Sequence, residues 1–277
     1  MTTPAQTDKA RAFRALHENP HAWVIPNPWD GASARILAAS GFRALTTSSG
    51  AAAATLGRRD GRLTRDEVLA HCRVIVTATD VPVAADLEGG FGAEPATVAE
   101  TIRLAADAGL VGGSIEDATG HPESPVFGLA QATDRIAAAA EAARKTPCGF
   151  VLTARAENYL HGREDLDDTI LRLQAYERAG ADVLFAPGLP DLDAVRTVCQ
   201  SVSRPVNFMV GMKGRSFPVA VLEAAGVRRI SLATSLYRAA LTGFLAAVRE
   251  VQGKGTFGYV DTSMTTSQIM PFLDGGA

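Results

Sequence analysis

The stretch VPVAADLEGGFG (81–92) ends an apolar run in Asp86, skips Leu87, places Glu88 and then breaks into Gly89, Gly90, Phe91 and Gly92. In an extended chain residues i and i+2 share a face, so Asp86 and Glu88 are predicted to point the same way. Two like charges side by side cost free energy unless a cation lies between them. A solvated strand end with a glycine-rich turn is the plain alternative for this stretch alone. Other apolar runs end in a similar manner. GGSIE (112–116) closes on Glu116 with Asp117 behind it, and GFVLTAR (149–155) closes on Arg155 with Glu157 and Asn158 behind it. Carboxylates gathered without histidine suit a hard divalent cation, Mg2+ first and Mn2+ as the alternative ion. The expected ligands are Asp86, Glu88 and Glu116. Mg2+ keeps several waters, so one or two carboxylates suffice for direct contact.

Arg155 is a fixed cation with a planar fork that matches a carboxylate or a phosphate. Its alternative role is an ion pair with Glu157 or Glu116. The turn Ser48-Ser49-Gly50-Ala51 offers backbone N–H groups and two hydroxyls for a second carboxylate, or else is an ordinary connection. Asn207, in PVNFM (205–209), adds an amide on another strand. Together these parts describe a pocket for a small anionic 2-oxo acid or dicarboxylate chelated to Mg2+. The metal would stabilise the enolate formed when a neighbouring bond breaks. Two other chemistries are disfavoured. A Schiff-base aldolase needs a lysine on a strand, and Lys9, Lys145, Lys213 and Lys254 all fall outside the predicted strands. Zinc hydrolysis needs histidines at strand ends, and all five histidines fall in helices or loops. His121 and His161 are the ones near the rim, and the plainer role of each is a surface residue. GMKGR (211–215) is a weak phosphate-binding candidate.

The elements that must position these residues are legible as a repeat. Short apolar runs are predicted as strands at 22–25, 43–47, 81–86, 112–116, 149–155, 181–186, 205–209 and 229–233. Helical spacing follows each, most clearly at 30–40, 64–79, 97–108, 130–144, 166–179, 192–201, 219–225 and 235–251. Gly41, Gly109, Gly180 and Gly226 stand where helices should close. Unbroken apolar strands indicate a sheet covered on both faces. Eight such units predict an α/β fold of the (β/α)8 TIM-barrel type, 1–277 as one domain. An open doubly wound sheet is the alternative, but the first strand leads into PNPWDG, not a glycine-rich phosphate turn. Residues 8–17 read as an extra N-terminal helix that could plug the barrel bottom. In a barrel the strand C-termini share one rim, so the acids, Arg155 and the serine turn converge there.

Composition narrows the setting. The chain has 277 residues, 47% of them apolar, and a formal net charge of −3. No basic stretch suggests nucleic acid, and no apolar run suits a membrane span. Cys72, Cys148 and Cys199 form no CxxC pair and read as reduced thiols in a cytoplasmic protein. The N-terminal MTTPAQTDKARAF lacks an apolar leader core. The tail after Gln252 fits no repeat unit. Its apolar residues (Phe257, Tyr259, Ile269, Met270, Phe272) are expected to pack on something, such as another subunit.

The chain resembles the isocitrate lyase/phosphoenolpyruvate mutase superfamily along nearly its whole length. The resemblance rests on NPWDGASARIL (27–37), TTSSGAAAATLGRRDG (46–61), DLEGGFG (86–92), GGSIED (112–117), TARAENYL (153–160) and PVNFM (205–209), in that order. It implies that Asp86 and Glu88 occupy the family's metal motif, with Glu where the family has a second Asp. It likewise implies catalytic roles for Asp60, Glu116 and Arg155, and a substrate-carboxylate site at Ser49 and Gly50, with Ala51 where lyases often have Gly. It implies a Mg2+-dependent barrel, a dimer or tetramer whose subunits exchange the last helix, so that residues from about 235 to 277 pack on a partner. Three departures stand out. The isocitrate and methylisocitrate lyases carry a KRCGH-type loop, whereas here DATGHPESPVFGL (117–129) has no cysteine or lysine, and His121 is its candidate acid. The mutases' lysine- and asparagine-bearing loop is missing. Ala186-Pro187-Gly188 stands where methylisocitrate lyases have a glutamate. The expected function is a Mg2+-dependent C–C lyase acting on a small 2-oxo or 2-hydroxy di- or tricarboxylate. The alternatives are an oxaloacetate-type decarboxylase or hydrolase of the same superfamily, and an oxo-acid-binding protein without turnover.

Overall fold

A computed structural model describes residues 4–273. Helix α1 (Pro4–Glu18) comes first, followed by β1 (Trp23–Ile25), α2 (Gly31–Ala39), β2 (Leu45–Thr46), α3 (Ser49–Thr55) and α4 (Arg65–Ala78). The middle comprises β3 (Val83–Asp86), α5 (Pro95–Asp107), β4 (Gly112–Glu116), α6 (Leu129–Lys145), β5 (Val151–Arg155) and α7 (Leu166–Ala179). The chain continues through β6 (Val183–Phe185), α8 (Leu192–Ser201), β7 (Val206–Met209), α9 (Val219–Ala224), β8 (Arg229–Ser231), α10 (Ser235–Lys254) and α11 (Thr266–Leu273). The eight strands pair in parallel in the order β1-β8-β7-β6-β5-β4-β3-β2. Between the two end strands, the Thr46 N–H donates to the Pro26 carbonyl at 3.1 Å, nearly closing the sheet into a (β/α)8 barrel.

Local chemistry sets the helix boundaries. Asp30 accepts from the Ser33 N–H and Thr64 from the Glu67 N–H, each within a reciprocal capping box. Asp165 and Asp191 cap α7 and α8 by accepting from the Asp168 and Ala194 N–H groups, without the reciprocal bond. Gly180 closes α7 at φ 106°, a conformation that favours glycine. Helix α6 buries Ala132, Ile136, Ala139, Ala140 and Ala143, a stripe of small side chains that lets it pack closely between α5 and α7.

Helix α1 does plug the bottom of the barrel. Phe13 is fully buried, and a side-chain carbon on Gly112, the first residue of β4, would lie 2.7 Å from its ring. Three features differ from the sequence expectation. The serine turn runs directly into an unpredicted helix, α3, nucleated by Ser48 as its cap. Strand β3 stops at Asp86 as expected, but Leu87 then turns into the core and Glu88 takes a left-handed φ of 49° instead of continuing the extended chain. Asp86 and Glu88 are therefore not successive same-face residues of one strand. The tail forms a short 3-10 turn (Gly258–Thr262) and then α11, which packs on α2. Ile269 and Phe272 are half-buried there, while Phe257, Tyr259 and Met270 are exposed. Helix α10 buries no residue and exposes Phe244 and Leu245. The expected partner-facing segment extends to residue 277, and 274–277 lie outside the described residues. Among the described residues no helix is long and apolar enough to cross a membrane.

Candidate active site

The strand ends meet around Arg155, the last residue of β5. Its Nη1 donates to Asp86 Oδ1 at 3.0 Å, Nη2 lies 3.1 Å from Glu116 Oε2, and Nε donates to Glu157 Oε1 at 2.9 Å. Register explains the meeting, since Glu116 pairs with Arg155 across β4 and β5, and Arg155 with Phe185 across β5 and β6. The Phe185 ring lies 5.1 Å from the guanidinium carbon. Of the five N–H groups of a guanidinium, those on Nε and Nη1 donate to Glu157 and Asp86 and Nη2 lies within ion-pair distance of Glu116 and Glu157, so at least one N–H, on Nη1, is left without a carboxylate partner. Both of the sequence's alternatives for Arg155, the pair with Glu116 and the pair with Glu157, are thus realised together.

Asp86 is gripped from the other side. The Ser49 hydroxyl and N–H donate to Asp86 Oδ2 at 3.0 and 3.3 Å, while the Asp86 N–H donates to Thr47 Oγ1 at 3.2 Å. The Ala51 N–H is directed to Ser48 Oγ at 3.5 Å. Of the donors that the turn was expected to offer a substrate, the Ser49 N–H and hydroxyl and the Ala51 N–H are thus already engaged. Gly50 leaves room for a neighbour: a side-chain carbon there would lie 3.1 Å from Asp60 Oδ2. Asp60 stands exposed at the lip of the cavities.

Crowding dominates the electrostatics. Burial and then the charges of Asp86 and Asp60 push the Glu88 carboxyl up to about 7, with Arg155 opposing. Glu116 is also driven above the ordinary carboxylate range, by burial and by Glu157, Asp86 and Glu88. Burial works against the charge on Arg155, but Glu157, Glu116 and Asp86 outweigh it and hold the guanidinium firmly protonated.

Among the described residues no three His, Cys, Asp or Glu side chains are arranged to hold one ion. Asp86, Glu88 and Glu116 therefore do not form the ready-made three-carboxylate shell the sequence suggested; Asp86 and Glu116 instead flank Arg155, the cation within reach. The donor set still fits a hydrated Mg2+. Its groups are oxygen ligands, and the Glu88 carboxylate makes no hydrogen bond or ion pair among the described residues although it is half-buried beside Asp86. A hard ion that keeps its waters needs one or two such carboxylates.

Two cavities open here. The larger, about 930 Å3, is lined by Asp60, Glu88, Glu116 and Arg155 and walled by the 117–129 loop with His121. The smaller, about 230 Å3, runs into the barrel from Asp86 and Arg155. His121, the expected acid, is 73% exposed and faces Glu123 at 3.7 Å, so nothing directs it at the acid cluster. Asn207, an expected substrate ligand, is buried, donates to Ser231 Oγ at 3.0 Å and accepts from Arg229 Nε at 2.8 Å. Its amide is committed inside the barrel because the register places it one strand from Arg229.

The structure gives roles to residues that the sequence named only as neighbours of the site, or not at all. Glu157 is buried and completes the ring around Arg155, and its N–H donates to Asp117 Oδ1 at 2.8 Å. Asp117 also receives the Tyr176 hydroxyl at 2.6 Å and Arg172 at 3.0 Å, tying the strand-four end to α7. Arg135 donates to the carbonyls of Glu116 (3.1 Å) and Gly89, and stacks 4.1 Å over Phe127. It thereby ties the DLEGGFG turn to β4. The signal was an arginine within the small-residue stripe of α6, where a charge has no reason to sit unless it is paired.

A family model described as phosphoenolpyruvate phosphomutase matches residues 13–252. The probable 2-methylisocitrate lyase 2 of Corynebacterium glutamicum is 31% identical over 97% of this chain and 89% of its own. The crystal structure of a Burkholderia cenocepacia J2315 protein, 50% identical, superposes with a TM-score of 0.95 over 98% of this chain and 97% of that one. A 2,3-dimethylmalate lyase, 26% identical, superposes with a TM-score of 0.85 over 98% of this chain and 95% of its own.

Proposed function

This chain belongs to the phosphoenolpyruvate phosphomutase family, and on that premise we propose that it is a Mg2+-dependent carbon–carbon lyase acting on a small 2-oxo or 2-hydroxy dicarboxylate. The observation that carries this reading is the imbalance of charge at the rim. Asp86, Glu116 and Glu157 gather around the guanidinium of Arg155, and Asp60 and Glu88 stand beside them, so that five carboxylates outnumber the two guanidinium groups, Arg155 and Arg135, at the cavity. Such an excess of acid, open to a cavity, suits a divalent cation brought with an anionic substrate. The lyase names of the relatives agree with it.

When bound, Mg2+ would supply Lewis-acid stabilisation of negative charge developing on the substrate, and Asp86, Glu88 and Glu116 are the carboxylates that would hold it. Arg155 fixes the orientation of Asp86 and Glu116, and its remaining N–H is the donor available to a substrate carboxylate. Ser49 keeps the second Asp86 oxygen in place. The 117–129 loop, bridged between Ala118 and Val126, walls the larger cavity. His121 does not point at the acid cluster, which favours a second reading: a decarboxylase or hydrolase of an oxaloacetate-like acid, which needs no acid from that loop. The long exposed face of α10 and the tail supports a dimer or tetramer in which the segment from about 235 packs on a partner copy, with residues 1–277 as one domain. Three free cysteines agree with a cytoplasmic setting.

The test is exchange of the C3 protons of pyruvate in D2O with and without Mg2+, alongside a panel of oxo and hydroxy acids assayed for cleavage and for decarboxylation. Metal-dependent exchange with cleavage of a dicarboxylate supports the lyase. Decarboxylation alone selects the second reading, and ligand binding with neither exchange nor turnover reduces the protein to an oxo-acid binder.

A further inference from the structure

Arg229 opens β8 deep inside the barrel, where charge is hardest to accommodate. It is 7% exposed, and no carboxylate lies within ion-pair distance of it among the described residues. Its hydrogen-bond partners are all neutral: Asn207 Oδ1 at 2.8 Å, Thr153 Oγ1 at 3.0 Å and His17 Nε2 at 3.3 Å. Since Arg229 donates to Nε2, His17 carries its proton on Nδ1 and gives it to the Phe13 carbonyl at 2.8 Å. Burial lowers the Arg229 pKa to about 9, which leaves it charged at neutral pH. A buried cation held only by neutral groups is costly unless an anion completes it.

The surroundings are short of acceptors. Three of the five guanidinium N–H groups are spent on those partners, leaving two. Thr153 and Ser231 accept bonds from Arg229 and Asn207, but neither hydroxyl has an acceptor of its own among the described residues. All four residues line the smaller cavity, about 230 Å3, whose other end is lined by Asp86 and Arg155. Thr153 lies two residues before Arg155 on β5, so the Arg229 end sits one inward-facing layer below the rim, about 7 Å along the strand.

We propose that the inner end of this cavity is an anion subsite in which Arg229, Thr153 and Ser231 receive the distal carboxylate of a substrate whose other end is held at the rim. This deepens the proposed function and rests on it for the identity of the ligand: the subsite selects dicarboxylates over monocarboxylates. Asn207 acts as a positioning residue, since it orients Arg229 through Nε and Ser231 through its own amide. The anion's charge is balanced by the guanidinium, and no covalent step is involved.

Two measurements test the subsite. Crystals of the full chain soaked in sodium bromide with EDTA should show an anomalous peak in contact with Arg229 Nη atoms, and the lack of one at high occupancy of other bromide sites overturns the proposal. In calorimetry with Mg2+, oxalate has no group beyond the chelating pair, whereas malate adds a distal carboxylate. Arg229→Gln should leave oxalate affinity within about twofold and weaken malate by about tenfold or more, with Arg229→Lys recovering part of the loss. Equal losses for both acids, or none for malate, make Arg229 merely structural. If neither acid binds the wild-type protein with Mg2+, the oxo-acid reading fails, and the bromide result alone still decides whether the subsite exists.

Discussion

Arg155 and Asp86, at the ends of neighbouring-but-one strands, meet at 3.0 Å with 11% and 17% of their side chains exposed. The pair is fixed at both ends. Ser49 holds the second Asp86 oxygen, and Glu157 and Glu116 hold the rest of the guanidinium. A buried pair of this kind is weak evidence of net stability, but removing one partner strands the other. The site is therefore a rigid assembly whose parts stand or fall together.

Arg155→Met should destabilise the protein by about 3–5 kcal/mol, as expected for a broken buried pair, measured by urea unfolding. Arg155→Lys keeps the charge but loses the fork, and should lower kcat/KM more than tenfold, roughly 1.4 kcal/mol. Unchanged kcat/KM in Arg155→Lys would confine Arg155 to a structural ion pair.

Asp86→Asn should abolish metal-dependent turnover while the fold survives, because the amide keeps the Ser49 contact but loses the charge. Circular dichroism and Mg2+-dependent thermal shift check both halves. Mg2+ stabilisation that persists in this variant would place the ion elsewhere.

His17 gives a pH dependence remote from the acid cluster. Burial, reinforced by Arg229, lowers its pKa from 6.5 to about 3. Between those values the unfolded chain binds a proton that the native state does not, so stability rises with pH over that window and levels off above 6.5. It is lost progressively as pH falls from 6.5 towards 3, by a few kcal/mol in all. His17→Gln, compared with wild type at pH 4.5 and 7.5, should show the smaller drop in unfolding free energy. An equal drop in the two proteins would remove His17 from the account.

Gly112→Ala should cost about 1–3 kcal/mol, because the added carbon would meet the Phe13 ring at 2.7 Å and the Val151 carbonyl at 2.9 Å. Phe13→Leu in the same chain should relieve only the ring part. A double variant no better than the single one would mean that the backbone contact sets the whole cost.

Isocitrate and methylisocitrate should be poor substrates, well below an ordinary turnover of about 10 s⁻¹. Cleavage to a succinate-type product requires a positioned acid, and His121 lies on the surface beside Glu123. His121→Ala should change turnover of smaller oxo acids by less than about threefold, within the weak contribution of a solvated group. A large loss would show that His121 reaches the substrate when the loop moves.

The sequence alone determined the barrel and the roster of rim acids. Eight apolar runs, each followed by helical spacing, and caps such as Asp30, Thr64, Asp165 and Asp191 act within a turn of the chain, so their energies are written locally. Asp86, Glu116 and Arg155 were legible because each ends a strand. What Glu88 and Arg155 do there was decided by tertiary structure. Glu88 leaves the strand because Leu87 is drawn into the core, and Arg155 turns inward to three acids because buried charge must be neutralised by whatever the stagger of the strands brings near. Arg135 and Glu157 gained their roles in the same way. The contact between Arg229 and His17 joins residues 212 positions apart. No local pattern encodes such a pairing, since it exists only once the sheet curls round and the first helix seals its floor.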